Sequence, residues 1–141
     1  MTSDLIRVIN DFPKPGIVFK DITPLLADAK AFKDCCEKIA EFAKDVDYIA
    51  GVEARGFILA SAVAVLSGKG FIPISKSGKL PGQVISQSYE LEYGQATLEI
   101  HSDLVPAGKK VLIVDDVLAT GGTALASVEL IEKASLIPTC L

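Results

Sequence analysis

Residues Val111-Leu112-Ile113-Val114-Asp115-Asp116-Val117-Leu118-Ala119-Thr120-Gly121-Gly122-Thr123 constrain the fold more than any other stretch of the chain. Four apolar β-formers predict a buried strand, and two carboxylates stand at its end. A short loop with two glycines then opens directly into a helical pattern. Glycine removes the Cβ that keeps backbone N–H groups from converging, and a helix N-terminus adds positive potential. With the hydroxyls of Thr120 and Thr123, such a loop makes a socket for a phosphate monoester. A glycine-containing βα turn with capping aspartates is the plainer alternative. A P-loop is excluded, because no G-x-x-x-x-G-K-[ST] occurs. Gly68-Lys69-Gly70 lacks the third glycine and the helix of a dinucleotide fingerprint.

The remaining periodicity sets this strand in context. Tyr48–Val52, Phe71–Ser75 and Ala96–His101 read as further strands. Helices are predicted over Ser3–Asn10 with Ser3 as N-cap, over Asp28–Lys44, over Phe57–Leu66 and over Thr123–Ala134. Apolar spacing in Asp28–Lys44 puts Cys35 and Cys36 at its buried boundary. Phe57–Leu66 is apolar nearly all round and is expected to be covered on most sides. Residues 11–24, dense in proline and bulky apolar side chains, are expected to pack as a small structured lid. Strands alternating with helices predict one α/β domain over residues 1–141, with a mainly parallel central sheet flanked by helices. Ligands sit beyond the carboxyl ends of such strands, so chemistry is expected at Glu53–Gly56, Lys76–Lys79 and Asp115–Thr123.

Composition narrows the class. A chain of 141 residues that is 50% hydrophobic can bury a core without a metal or disulfide staple. Acidic side chains outnumber basic ones, 18 to 14, which argues against a general nucleic-acid or anionic-membrane binder. The longest uncharged run of consequence, Gly56 to Gly68, has 13 residues; a spanning helix needs about 20. Met1-Thr2-Ser3-Asp4 has no basic n-region, so a soluble, uncleaved, cytoplasmic protein is expected. Three cysteines, two of them adjacent, form neither a disulfide framework nor a C-x-x-C pair. The one histidine, His101, reads as a solvated strand-end residue in preference to a catalytic one.

The strand, Asp pair and Thr-Gly-Gly-Thr loop resemble the phosphoribosyl-pyrophosphate (PRPP) motif of the type I phosphoribosyltransferases. Asp11–Ile22, Glu53-Ala54-Arg55-Gly56-Phe57, Lys76–Gly82 and Tyr89–Gly94 are similar to the adenine-using members of that family. The resemblance covers nearly the whole chain and implies the type I fold, with an N-terminal helix and base-binding hood over 1–27 and a flexible lid over 77–94. It implies a purine-salvage transferase that converts adenine and PRPP to AMP and pyrophosphate, with Mg²⁺, in a homodimer. The transfer would invert the anomeric carbon through an oxocarbenium-like transition state. By the same resemblance, Ala119, Thr120, Gly121, Gly122 and Thr123 hold the 5′-phosphate, and Asp115 and Asp116 hold the ribose hydroxyls near Mg²⁺. Arg55, Lys76 and Lys79 contact pyrophosphate. Glu92 serves the reacting centre, with Tyr93 supporting the closed lid. Val18 and Lys20 present backbone groups to adenine while Phe19 stacks on it. The loop at Glu53-Ala54 is expected to hold a cis peptide.

Plainer readings stand beside these. Residues 77–94 also read as an exposed hairpin, Val18 and Phe19 as core residues, and Glu90 and Glu99 as solvated charges. Another purine such as xanthine, a non-catalytic PRPP-binding regulator and an inactive remnant are the rival functions. After the motif helix the chain departs from the family pattern. Pro138 is expected to leave the last strand shortened, altered or absent, with Val111–Asp115 as an unprotected edge.

Overall fold

A computed structural model describes residues 5–16, 18–91, 94–116 and 122–140, without the side chains of Phe19 and Cys140. The chain divides into two compact units, Met1–Lys38 and Ile39–Leu141.

In the first unit, β1 (Arg7–Asn10) pairs antiparallel with β2 (Val18–Asp21), setting Arg7 opposite Asp21 and Asn10 opposite Val18. This corrects the helix expected over Ser3–Asn10. Val8 and Ile9 are β-branched and suit a pleated ribbon, and the partner strand that decides the matter lies beyond the reach of local helix signals. The connecting turn is drawn in by Asp11, whose Oδ1 accepts the Gly16 N–H at 2.8 Å. Asp21 anchors the ribbon. Its carboxylate accepts the Thr23 N–H at 2.9 Å, the Thr23 hydroxyl at 2.8 Å and the Arg7 Nε–H at 3.1 Å. The Thr23 N–H, then its hydroxyl, then Arg7 hold the Asp21 carboxyl down at about 2. Next come α1 (Thr23–Ala27), with Pro24 in its first turn, and α2 (Ala29–Ala40). Asp28 caps α2 by accepting the Ala31 N–H at 2.9 Å. A short 3-10 turn, Glu41–Ala43, completes the helical stretch expected over Asp28–Lys44. Cys36 is buried and Cys35 lies at the boundary, as the periodicity predicts.

The second unit is a six-stranded sheet with helices. In chain order it contains β3 (Tyr48–Val52), α3 (Arg55–Ser67), β4 (Gly70–Lys76), β5 (Val84–Glu90), β6 (Gln95–His101), β7 (Lys110–Val114), α4 (Gly122–Lys133) and β8 (Ile137–Cys140). The strand order is β5-β6-β4-β3-β7-β8. Strands β4, β3, β7 and β8 run parallel, and β6 is antiparallel to both β4 and β5. Ile72, Ile74, Leu98, Ile100, Val111, Leu130 and Ile131 are fully buried in one cluster between the sheet and α4. Burying a side chain of this size contributes about 1.5–3 kcal/mol.

Two expectations change here. α3 is not covered on most sides: Ile58, Leu66 and above all Val65, 84% exposed, face solvent, while Leu59, Ala60 and Val63 are buried. The apolar run is longer than the single face that the sheet can bury. The last strand is present: β8 pairs with β7 in register, Lys110 opposite Ile137 and Ile113 opposite Cys140, so β7 is not an edge. Pro138 fits because β8 is itself the edge strand, where a missing N–H need not break a ladder. Within 77–94, residues Val84–Glu90 pair antiparallel with β6 as a hairpin, the plainer of the two readings of that segment. No helix among the described residues is long and apolar enough to cross a membrane.

Candidate active site

Register alignment places three segments at one edge of the second unit. Val52 is opposite Ile74 and Gly51 opposite Val114, so the parallel strands β4, β3 and β7 end together. Lys76, Glu53–Gly56 and Asp115–Asp116 stand at those strand ends.

Arg55 opens α3 and reaches the end of β7, where its Nε lies 2.7 Å from Asp116 Oδ2. The Asp116 side chain is only 5% exposed. Asp115 sits beside it, and its Oδ1 accepts the Asp116 N–H at 2.8 Å. Burial is the main reason the Asp115 carboxyl is pushed up to about 7; the neighbouring Asp116 carboxylate raises it further and Arg55 opposes both. Gly56 permits this approach. A Cβ there would meet Asp115 Oδ1 at 2.9 Å and the Val114 carbonyl at 3.2 Å.

The Glu53–Ala54 peptide is cis, as the resemblance implies. Glu53 ties this loop to β4: its N–H donates to the Ile74 carbonyl at 2.9 Å, and its Oε1 accepts the Lys76 N–H at 3.1 Å. Lys76 and Lys79 are exposed, and among the described residues neither pairs with a carboxylate. Glu99 corrects the reading of a solvated charge. It is 4% exposed, and its Oε1 accepts the Lys79 and Leu80 N–H groups at 3.1 and 2.9 Å. The strand alternation Ala96–His101 hides this, because the face that Glu99 shares is decided by the antiparallel pairing with β4 opposite Ser75.

Gly122 and Thr123 begin α4. The Thr123 hydroxyl donates to Tyr89 Oη at 3.2 Å, which joins β5 to the start of that helix. Tyr89 opens the Tyr89–Gly94 segment that carries part of the family resemblance, but the resemblance gives it no role; Ile85, Gln87 and Tyr89 alternate with exposed residues in the manner of an inward strand face. His101 ends β6 opposite Val84. Val18 is exposed on β2, and with Lys20 two positions on, their backbone groups address the same edge of the ribbon. Ala119, Thr120, Gly121, Glu92 and Tyr93 lie outside the described residues.

A parallel sheet that gathers an aspartate pair, an arginine and a glycine-opened helix at the carboxyl edge is the architecture of a phosphate-handling α/β enzyme. The family model for the phosphoribosyl transferase domain matches residues 24–137, and the chain belongs to that family. It is 58% identical to the adenine phosphoribosyltransferase of Halothermothrix orenii, over 91% of this chain and 76% of the relative. The crystal structure of adenine phosphoribosyltransferase from Thermoanaerobacter pseudethanolicus superposes with a TM-score of 0.94 at 50% identity, covering 99% of this chain and 83% of that one. The Saccharomyces cerevisiae adenine phosphoribosyltransferase, solved with an imino-altritol bisphosphate and adenine, superposes with a TM-score of 0.91 at 36% identity, covering 97% and 81%.

Proposed function

We propose that the chain is a purine-salvage transferase that moves the phosphoribosyl group of PRPP to adenine, giving AMP and pyrophosphate. The observation that carries the reading is the Arg55–Asp116 pair beside Asp115 at the ends of β3 and β7. It joins a group suited to pyrophosphate to the carboxylates suited to ribose hydroxyls, at one sheet edge. Asp115 and Asp116 accept the two ribose hydroxyls, and their charge opposes the positive charge that grows on the ring as pyrophosphate leaves. Gly122 and Thr123, with Ala119, Thr120 and Gly121, hold the 5′-phosphate at the start of α4. Lys76 and Lys79 join Arg55 on the pyrophosphate. Val18 and Lys20 read the edge of adenine through the backbone, with Phe19 on its face. Residues 77–94 act as the lid that excludes water, and Glu92 serves the reacting centre.

The donor set suits magnesium brought by the substrate. Among the described residues no cluster of three metal-binding side chains occurs, whereas Mg²⁺ commonly keeps waters and binds through one or two carboxylates plus phosphates. Asp115 and Asp116 are the residues that would stand near it, where the ion would neutralise phosphate charge. A homodimer and a cytoplasmic location complete the proposal; the exposed Ile58, Val65 and Leu66 on α3 give a second copy apolar surface to cover.

Purified chain assayed with PRPP, Mg²⁺ and each of adenine, hypoxanthine, guanine and xanthine tests the reading. Turnover with adenine far above the others supports it, and preference for xanthine overturns the specificity. PRPP binding without turnover on any base would favour a regulator.

A further inference from the structure

From the last residue of β4 onward, the backbone N–H groups of Lys76, Ser77, Lys79 and Leu80 all bond to acceptors of the protein itself. Lys76 donates to Glu53 Oε1 at 3.1 Å and Ser77 to the Thr97 carbonyl at 3.0 Å. Lys79 and Leu80 both donate to Glu99 Oε1, and the Gly78 N–H lies beside the same carboxylate. Gly78, at φ +87, supplies the left-handed step that curls the chain so these donors converge. Convergent N–H groups of this kind form a concave anion site, and here the occupant is the protein's own buried carboxylate. The Leu80 N–H first, then those of Gly78 and Lys79, hold the Glu99 carboxyl below its ordinary range although burial pushes the other way. The N–H groups of Lys76, Ser77, Lys79 and Leu80 are thereby taken up by acceptors of the protein itself. The loop's available cations are the exposed ammonium groups of Lys76 and Lys79.

We propose that Glu99 is a positioning residue, a fixed internal hydrogen-bond acceptor that shapes the Lys76–Leu80 loop so that pyrophosphate meets the two lysine side chains and not the loop backbone. This rests on the reading of Lys76 and Lys79 as pyrophosphate contacts. The bonds from the Lys79 and Leu80 N–H groups both end on one atom, Oε1, so the position of that oxygen matters more than the second one.

Titration calorimetry with magnesium pyrophosphate and steady-state kinetics on the full chain test it. Glu99→Ala should weaken pyrophosphate binding and raise the PRPP KM at least tenfold, while the adenine KM shifts less than twofold. Amide exchange at residues 78–80 should accelerate. Glu99→Gln keeps an accepting oxygen and should recover to within about threefold of the parent. Pyrophosphate binding in Glu99→Ala that is unchanged, or tighter because the emptied turn takes the phosphate itself, overturns the proposal. So does a Glu99→Gln loss as large as that of alanine. Should Glu99→Ala fail to fold, Glu99→Asp withdraws the oxygen while keeping the charge; the same selective rise in PRPP KM is expected, and a value within twofold of the parent overturns the proposal. Lys76→Ala/Lys79→Ala separates the two levels. Unchanged pyrophosphate affinity in that double variant removes the pyrophosphate reading itself, whereas lost affinity there with parental affinity in Glu99→Ala removes only the role of Glu99.

Discussion

Arg55 Nε donates to Asp116 Oδ2 at 2.7 Å, and through this bond the first turn of α3 is fastened to the end of β7. The two residues are 61 positions apart and follow the neighbouring parallel strands β3 and β7. The carboxylate is 5% exposed and the guanidinium 40%, so the pair lies between a surface ion pair and a buried one.

Arg55→Ala leaves the Asp116 charge buried without its partner. A destabilisation of about 1–3 kcal/mol is expected, less than for a fully buried pair because the guanidinium is half wet. Arg55 also holds the Asp115 carboxyl down, so the same variant should move the Asp115 titration upward. Urea unfolding and carbon-detected NMR titration check the two effects; a stable variant with an unmoved Asp115 would contradict the geometry.

Gly56→Ala places a methyl 2.9 Å from Asp115 Oδ1 and 3.2 Å from the Val114 carbonyl. The second neighbour is backbone and yields little. The start of α3 must move away from β7, at about 1–3 kcal/mol, and the Arg55–Asp116 bond should lengthen with it. Thermal unfolding and PRPP turnover should both fall. A variant with parental values in both would show that this approach has slack.

How much of this edge is legible in the sequence depends on how local its causes are. Tyr48–Val52 and Val111–Val114 are apolar on both faces, and the Asp pair with its glycine loop declares the strand end and the helix after it. The Arg55–Asp116 contact becomes deducible once both strands are parallel neighbours. Glu99 is different. Its burial comes from β6 running antiparallel against β4, a pairing set by residues 23 or more positions away. The ribbon of Arg7–Asn10 with Val18–Asp21 is hidden for a like reason, since Ser3 and the spacing of Ile6 and Ile9 mimic a capped helix. Pro138 misleads in the opposite sense, because its effect depends on whether β8 is central or an edge.

Stability should carry two opposed pH signatures. In the folded chain burial raises the Asp115 carboxyl from 3.8 to about 7, so folding takes up its proton between those values. Its favourable contribution is complete below 3.8 and is lost as pH rises through about 7. Asp21 is lowered from 3.8 to about 2, so its contribution is present above 3.8 and is lost as pH falls through about 2. Urea unfolding of the parent and of Asp115→Asn across this range checks the first signature. The parent should lose ground against the variant as pH rises from about 4 to about 7; a difference that is flat with pH would contradict it.

Tyr89 and Thr123 couple the β5–β6 hairpin to the start of α4. Tyr89→Phe, Thr123→Val and the double variant form a cycle whose interaction energy in unfolding should be about 0.5–1.5 kcal/mol. Strict additivity would show that the 3.2 Å contact contributes nothing.

The most direct test of the transferase account is a stoichiometric assay of the purified chain with adenine, PRPP and Mg²⁺. It should form AMP and pyrophosphate in equal amounts. Asp115→Asn/Asp116→Asn, which keeps the shape and removes the charge, should lower turnover at least a hundredfold, about 2.7 kcal/mol of transition-state stabilisation. No AMP above the enzyme-free rate, or parental turnover in the double variant, would contradict the account.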